Sequence, residues 1–184
     1  LIEAVKHALA KRHAIAADRP LPRVLVTAGP TREPIDPVRF LSNRSSGKMG
    51  YALAEAAYAA GCDTALISGP TALTGTTLCR RIEVQTAAEM HEAVKREFPG
   101  FDVLIMAAAV ADYRPESTAA EKIHKTPGDM NLKLVRTADI LETVADIRRP
   151  DQFVMGFAAE TGDVIASARR KLTAKKLDCI AAND

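Results

Sequence analysis

The chain has 184 residues, enough for one domain that buries a core without disulfide or metal support. Its 25 lysines and arginines nearly balance 23 aspartates and glutamates, so the net charge of +2 gives no electrostatic reason to expect nucleic acid or a membrane surface as a partner. The three cysteines lack the pairing and spacing of a disulfide framework or a zinc site. The chain has neither a secretory leader pattern nor an apolar run long enough to span a bilayer, so we expect a protein of the reducing cytoplasm.

The first 22 residues are predicted to form a helix and a linker. Residues 1–17 have helical spacing, and the prolines at positions 20 and 22 interrupt it. Because the chain opens on leucine and not on an initiator methionine, we expect it to be cut from a longer polypeptide. The domain itself is expected to occupy residues 23–184.

A strand, a glycine-containing loop and a helix open this domain. Residues 24–26 form a short apolar run that stops at a Gly-Pro turn signal, as buried parallel strands do. Helical periodicity starts at Ser45 and ends at Gly61. The small residues at positions 45–50 would let backbone N–H groups approach an anion, a preference worth ~0.3–1 kcal/mol at an exposed helix terminus.

This opening matches neither of the common phosphate-binding motifs. A P-loop would need glycine and a hydroxyl residue where the chain has Ser42 and Met49. The dinucleotide fingerprint requires a tighter turn than the long stretch between the loop glycines. A packing role for the loop is one alternative. Four polar side chains do not fit such a packing role, because they have no place in an apolar core, and they favour a ligand site instead: Arg39, Asn43, Arg44 and Lys48.

Strands and helices alternate along the rest of the chain. Strands are predicted over residues 64–68, 81–85, 102–110, 132–135, 153–158 and 177–182, with a polar loop over 71–80. Helices are predicted from a Thr86 and Glu89 capping box to Phe98, over 139–147, and from Asp163 onward. This alternation predicts an α/β sandwich with a largely parallel central sheet. Right-handed crossovers then place the polar cluster, the alanines after Met106 and the charged loop over 111–131 along one edge.

The segment that follows the central strand carries the candidate chemistry. Residues 102–110 have the pattern of the most buried strand, and their terminal alanines indicate either room for a ligand or tight packing of a helix. The next loop holds Asp112, Lys122, His124 and Lys125, which suit a nucleoside triphosphate and its magnesium unless they form a solvated face. Asp112 is the best candidate metal ligand, with a helix cap or a surface acid as alternatives.

Covalent catalysis is not indicated, because the sequence shows no Ser, His and Asp arrangement and no thiol near a base. An enzyme of this kind would work by positioning and charge stabilisation. The Asn43 amide could donate to an oxygen that becomes negative during attack on an acyl carbon, and losing one such donor commonly costs ~2.7–4 kcal/mol. A turn-forming asparagine is the alternative.

Four stretches resemble one enzyme family in order: TAGPTREPIDPVRFLSNRSSGKMG, AAAVADYRP with EKIHK, GFAAET and KKLDCIAAND. From about Arg23 to Asp184 the chain resembles the bacterial phosphopantothenate-cysteine ligase, the synthetase half of a bifunctional coenzyme A biosynthesis protein. The resemblance implies a Rossmann-like three-layer fold, a homodimer and magnesium. It also implies a reaction in two steps. CTP activates the carboxylate of 4'-phosphopantothenate as an acyl-cytidylate and pyrophosphate leaves; the amine of L-cysteine then displaces CMP.

The resemblance also implies further segments. A flavin-dependent decarboxylase domain would precede residue 23, and FMN would belong to that absent domain alone. Family members also continue for several tens of residues past Asp184, so a C-terminal segment is expected to be absent here.

The same resemblance assigns the site residues. The backbone at Met106, Ala107 and Ala108, the metal-associated Asp112 and the lysines Lys171 and Lys175 would bind CTP. Lys122 would offset charge on the α-phosphate during activation. Asn43 would handle the acyl-cytidylate in the second step, and Arg39 would contact the phosphate of phosphopantothenate. Cytidine would be recognised by Ala138, Asp139, Ile140, Leu141 and Phe157.

One departure and two alternatives stand beside this assignment. His124 takes the place of a usual lysine, which weakens a phosphate role for it near neutral pH. An NAD(P)-binding Rossmann domain of an oxidoreductase is the first alternative, although Ser68 and Gly69 stand where an acidic residue would bind the ribose hydroxyls. A non-catalytic assembly or regulatory piece is the second. The preference for CTP over ATP follows from the resemblance alone.

Overall fold

The computed structural model describes residue 10 and residues 21–73, 79–159 and 162–183. The helix predicted over residues 1–17 therefore lies outside the described residues except at position 10, and so does the middle of the loop predicted over 71–80. Within the described ranges, ten strands are numbered in chain order: β1 (Arg23–Ala28), β2 (Arg32–Pro34), β3 (Phe40–Ser42), β4 (Asp63–Ser68), β5 (Arg80–Glu83), β6 (Val103–Met106), β7 (Tyr113–Pro115), β8 (Leu134–Arg136), β9 (Phe153–Ala159) and β10 (Cys179–Asn183).

Six of these strands form one parallel sheet in the spatial order β10-β9-β6-β1-β4-β5. The chain starts in the middle of the sheet at β1, builds outward through β4 and β5, and then returns to the other side of β1 with β6. This is the order of a doubly wound nucleotide-binding fold, with its switch point between β1 and β6. The predicted Rossmann-like α/β sandwich is confirmed, and its central sheet is wholly parallel.

Four α-helices connect the strands: α1 (Lys48–Ala59), α2 (Ala87–Glu97), α3 (Ile140–Ile147) and α4 (Val164–Ala174). Side-chain caps fix three of their starts, because Thr86, Asp139 and Asp163 each accept a first-turn backbone N–H. Helix α1 begins three residues later than predicted because Gly47, at φ +77°, adopts the left-handed conformation before it.

The sheet separates two apolar cores, since alternate residues of a strand point to opposite faces. Leu25, Leu104 and Val154 face α2 and α3, in a core that also contains the fully buried Phe98. On the other face, the core beneath α1 consists of these residues: Val24, Val26, Ala28, Tyr51, Ala54, Cys62 and Leu66. Strands buried on both sides give the continuous apolar runs from which the sheet was predicted.

Two predictions along the central strand are wrong. The strand predicted over 102–110 ends at Met106, and β1 is more completely buried than β6, where Val103 and Ile105 are partly exposed. The strand ends early because the Ala107 N–H turns back to the Ile105 carbonyl and the Ala108 N–H donates to the Thr27 hydroxyl instead of a neighbouring strand.

Two small antiparallel sheets were not predicted. Strand β2 pairs with β3, and β7 pairs with β8. Pro115, expected to break regular structure in the charged loop, lies in β7. The strand predicted over 132–135 overlaps β8. The other three strands have only three residues each, and β2 and β7 also contain proline, so their patterns are too short to recognise. These sheets matter for function because they carry the loops that cover the carboxyl edge of the large sheet.

Gly50 allows helix α1 to lie directly against β1. A Cβ at this position would sit 2.5 Å from the Ala28 Cβ and 2.7 Å from the Thr27 carbonyl oxygen. We expect Gly50→Ala to push the helix from the strand and destabilise the fold by about 1–3 kcal/mol, measured by urea unfolding. Gly100→Ala is the matched control, because a Cβ there meets nothing within 4 Å. Equal unfolding midpoints for the two variants would contradict this explanation.

Candidate functional site

The candidate site lies at the carboxyl edge of the sheet, at the switch point between β1 and β6. The chain leaves the two strands through loops that are bonded to each other: the Ala109 N–H donates to the Gly29 carbonyl at 2.9 Å, and the Thr31 N–H donates to the Ala109 carbonyl at 3.3 Å. An open α/β sheet binds ligands outside the carboxyl ends of its strands, at the switch point of the strand order. The alanines after Met106 therefore lie at the predicted edge of the sheet.

Two buried threonines fix the loop that follows β6. The Thr27 hydroxyl accepts the Ala108 N–H at 3.2 Å, and the Thr31 hydroxyl accepts the Ala111 N–H at 3.0 Å. Because the N–H groups of Ala107 and Ala109 also have internal acceptors, four donors of this loop are already occupied. A ligand bound here without breaking them would meet carbonyl oxygens. Of the predicted nucleotide-binding residues, Met106 is buried, whereas Ala107 and Ala108 are half-buried at the edge.

Asn43 lies against the same loop. Its amide nitrogen is 3.2 Å from the Ala109 carbonyl oxygen and 3.1 Å from the Val110 carbonyl oxygen, and the residue is exposed. The structure thus brings Asn43 to the strand-end loop as predicted. In this arrangement the amide donates to the backbone. Donation to a developing oxyanion requires one of these two bonds to be exchanged for the ligand.

The loop that carries Lys122 is tied to the turn between β2 and β3. The Ala119 N–H donates to the Ile35 carbonyl at 3.0 Å, and the Ile123 N–H donates to Oδ2 of Asp36 at 3.1 Å. The Arg39 guanidinium donates to the Ile123 carbonyl and pairs with Asp36 at 2.6 Å. Lys122, His124 and Lys125 are exposed. The structure therefore fixes the backbone next to Lys122 through Ile123 and leaves the Lys122 side chain exposed.

The Asp36 carboxyl is ionised across the physiological range. Burial favours its neutral form, but the backbone N–H groups of Val38, Ile123 and Arg39 and the Arg39 guanidinium outweigh that effect and lower its pKa from 3.8 to about 2. A lowered folded-state pKa stabilises the fold above the unfolded value, and this stability is lost as the pH falls through the folded value.

We therefore expect the stability difference between the wild type and Asp36→Asn to be full above about pH 4 and to shrink between about pH 4 and pH 2. Urea unfolding of both proteins across this range measures it. A difference that is constant down to pH 2 would show that the carboxylate charge is not responsible.

The segment predicted to recognise cytidine begins next to Asp112. Thr137 donates its N–H to the Asp112 carbonyl at 2.9 Å and its hydroxyl to the Ala111 carbonyl at 2.6 Å. The following residues differ in solvent exposure. Ala138 and Asp139 are exposed, Leu141 is half-buried, and the Ile140 side chain is buried in the larger core. A ligand can reach Ile140 only through its backbone.

Asp139 and Lys175, both predicted to bind CTP, bind each other. The Asp139 carboxylate caps α3, and the Lys175 ammonium lies 2.7 Å from it and 2.8 Å from Glu142. The bond to Asp139, followed by that to Glu142, raises the pKa of Lys175. Burial opposes ionisation of Asp139, but Lys175 and the cap bonds lower its pKa. The two carboxylates therefore compensate the charge of Lys175. Lys171, one turn earlier on α4, is exposed.

Phe157 lies apart from the other predicted cytidine-binding residues. It alternates along β9 with Val154, which packs in the same core as Ile140, so Phe157 projects from the opposite face of the sheet. Its ring is half-buried.

Asp112 is exposed and fits a metal site in which the protein supplies few ligands. Among the described residues there is no group of three or more histidines, cysteines or acids that could hold a metal ion. Magnesium commonly takes one or two protein carboxylates and completes its octahedron with substrate phosphates and water. A magnesium ion held at Asp112 would therefore need substrate phosphates and water for its remaining ligands.

Three site residues were missed from the sequence: Thr27, Thr31 and Asp36. The two threonines lie in or beside an apolar strand, where a hydroxyl is usually a β-branched core residue. Asp36 stands between an isoleucine and a proline, a pattern typical of a turn. Its contact with Ile123 spans 87 positions and has no local signal.

The fold and the site define a Rossmann-like α/β domain with polar loops at its switch point. Comparisons with known proteins place it in a family. A family described as DNA/pantothenate metabolism flavoprotein C-terminal domain matches residues 21–184. The chain belongs to this family, and the resemblance found in its motifs is confirmed.

Individual relatives agree with this assignment. Coenzyme A biosynthesis bifunctional protein CoaBC of Bacillus subtilis is 51% identical over 162 residues, which are 88% of this chain and 40% of the relative. The crystal structure of the C-terminal domain of a CoaBC protein has a TM-score of 0.78 and 46% identity, covering 88% of this chain and 76% of that one. A Cab2 variant in complex with phosphopantothenate-cysteine shares the fold, with a TM-score of 0.74 at 17% identity, covering 97% and 77% of the two chains.

The chain spans about two-fifths of the length of the bifunctional relatives it matches. In the part that the structure describes, none of the helices is both long and apolar enough to cross a bilayer.

Proposed function

We propose that this domain forms the amide between 4'-phosphopantothenate and L-cysteine at the expense of CTP, within a cytoplasmic enzyme of coenzyme A biosynthesis. The observation that carries the proposal is that Asn43 contacts the strand-end loop at the switch point, while the loop with Lys122 is tied to the hairpin that leads to Asn43. The membership of the family and the names of its relatives support it. The reaction needs no nucleophilic side chain, because the substrate carboxylate and the cysteine amine are themselves the nucleophiles.

In the first step the substrate carboxylate attacks the α-phosphorus of CTP and pyrophosphate leaves. The exposed Lys122 lies on the loop that is held to the β2–β3 turn through Ile123, and its ammonium would offset the charge that builds up on the α-phosphate. Magnesium, bound through Asp112, would neutralise the departing pyrophosphate. Residues at the start of α1 suit the phosphate of phosphopantothenate, because this helix has no side-chain cap and Arg39 lies on the adjoining hairpin loop.

In the second step the neutral cysteine amine attacks the acyl carbon and the carbonyl oxygen becomes negative. The bond from the acyl carbon to the cytidylate oxygen then breaks, CMP leaves, and the nitrogen releases its proton to solvent as the amide forms. The Asn43 amide is the neutral donor available at the strand-end loop. By exchanging one backbone carbonyl for the developing oxyanion, it would bind the transition state more strongly than the ground state.

Nucleotide binding tests the proposal against its alternative. We expect calorimetry in the presence of magnesium to detect CTP binding and to show little binding of ATP or NADPH, and Lys122→Gln to weaken CTP. Binding of NADPH in place of CTP would favour an NAD(P)-binding oxidoreductase domain, the alternative that the strand order by itself permits. Pyrophosphate release that depends on both CTP and 4'-phosphopantothenate would distinguish an enzyme from an assembly piece.

We further propose a homodimer, fused in the complete protein to a flavin-dependent decarboxylase that alone would bind FMN. The two small sheets touch through β2 and β7, and they expose apolar side chains: Val38 at 61%, Phe40 at 47%, Tyr113 at 52% and Leu134 at 44%. An exposed apolar group of this kind is typical of an interface. The fusion is supported by the printed name of the relatives, which are bifunctional.

The dimer proposal predicts that Leu134→Glu halves the mass measured by light scattering after gel filtration, because a buried, unpaired carboxylate disrupts an apolar contact. Ile165→Glu is the control, since Ile165 is 68% exposed on α4, away from both small sheets. A monomeric wild type, or dissociation by the control alone, would contradict the proposed interface.

A further inference from the structure

Asp36 connects two loops of the candidate site through one buried carboxylate. Its side chain is fully buried although it carries a charge, and each oxygen accepts two donors. Oδ1 accepts the N–H groups of Val38 and Arg39, both at 2.8 Å. Oδ2 accepts the Ile123 N–H at 3.1 Å and the Arg39 guanidinium at 2.6 Å. Four hydrogen-bond donors offset the free-energy cost of burying this charged carboxylate, so it can connect both loops.

The two oxygens serve different parts of the molecule. Oδ1 closes the local turn between β2 and β3, whereas Oδ2 reaches 87 positions along the chain to the residue after Lys122. Arg39 reinforces the second connection, because its guanidinium bonds both Asp36 and the Ile123 carbonyl. The backbone on the carboxyl side of Lys122 is thereby fixed, while its side chain stays exposed.

We propose that Asp36 is a positioning residue that anchors the Lys122 loop in the geometry required for activation of the carboxylate. This inference rests on the proposed function for the role of Lys122. It assigns Asp36 no contact with the substrate. A misplacement of about 1 Å in a catalytic group can cost roughly 10²-fold in rate, so an anchor of this kind is expected to have a large kinetic effect.

The test uses Asp36→Asn, which keeps the size of the side chain and cannot keep its bonds. Whichever way the amide is turned, its NH₂ group faces two donors that the carboxylate accepted, so one pair of bonds is lost. Asp102→Asn is the matched control. Asp102 also accepts a backbone N–H and pairs with an arginine, both from Arg23, but it precedes β6 at the opposite edge of the sheet.

Two readouts are made on each variant. The first is tryptic cleavage after Lys122 and Lys125 in the folded protein, which does not depend on activity. The second is the rate of pyrophosphate release at saturating CTP and 4'-phosphopantothenate without cysteine, in the wild type, in Asp36→Asn, in Lys122→Gln and in the double variant.

We expect Asp36→Asn to accelerate cleavage at both lysines at least tenfold and to lower the maximal rate of pyrophosphate release roughly 10²-fold, with Asp102→Asn changing neither. The double variant should be no slower than Lys122→Gln alone, because Asp36 acts through Lys122.

Unchanged cleavage in Asp36→Asn would overturn the anchor. Effects of the two substitutions that multiply would overturn the positioning role, since Asp36 would then act independently of Lys122. If the wild type releases no pyrophosphate with any nucleotide, the proposed function is wrong, and so is the kinetic role of Asp36. The cleavage rates would still show whether Asp36 anchors the Lys122 loop.

Discussion

Replacing Lys122 by glutamine is expected to lower the rate of pyrophosphate formation about 10²–10³-fold, the effect of removing one group that stabilises transition-state charge. Glutamine keeps a polar side chain, although a slightly shorter one, and removes its cation. Because Lys122 is exposed and its loop is held through Ile123, the substitution should leave the stability of the fold unchanged. Single-turnover measurement of pyrophosphate release, with urea unfolding alongside, separates the two effects.

Lys133→Gln is the matched control for this prediction. Lys133 lies on the same long connection between β7 and β8, and its ammonium is engaged with Glu116 at 2.6 Å. An exposed ion pair of this kind contributes little. We expect the control to retain its rate of pyrophosphate release within about twofold. A rate in Lys122→Gln that matches the control would remove Lys122 from the activation step.

The largest expected effect on stability comes from Phe98. This ring is fully buried in the larger core, at the point where α2 runs into a 3₁₀ turn, Phe98–Gly100, below the sheet. Phe98→Ala removes the ring and leaves a cavity, which typically costs about 3–5 kcal/mol. For a domain of this size, such a loss lowers the melting temperature by roughly 6–20 °C.

Phe153→Ala provides the comparison for Phe98, because Phe153 is 43% exposed at the start of β9. Its truncation forms no closed cavity and should cost less than about 1.5 kcal/mol. Melting curves of the two variants measured under the same conditions give the contrast directly. Equal losses would mean that the exposed face of β9 is covered in solution.

The sequence by itself determined the class of fold and the order of its main elements. Apolar runs bounded by glycine and proline placed β1, β4 and β9, and capping residues such as Thr86 and Asp139 placed helix starts to within one residue. These signals are local, because backbone periodicity and capping bonds connect residues only a few positions apart. The four motifs also indicated the family, because they occur along the chain in the order typical of it.

The tertiary structure decided how the site is assembled. The pairing of Asp139 with Lys175, the bonds from Asn43 to the strand-end carbonyls and the position of Phe157 on the opposite face all depend on strand order and register. Asp36 shows the reason most clearly. Its turn is a local feature, but its second oxygen binds Ile123, 87 positions away, and a bond of that span leaves no periodicity in the sequence. Sequence patterns therefore indicated which residues could act, and only the folded chain determined which of them are held together.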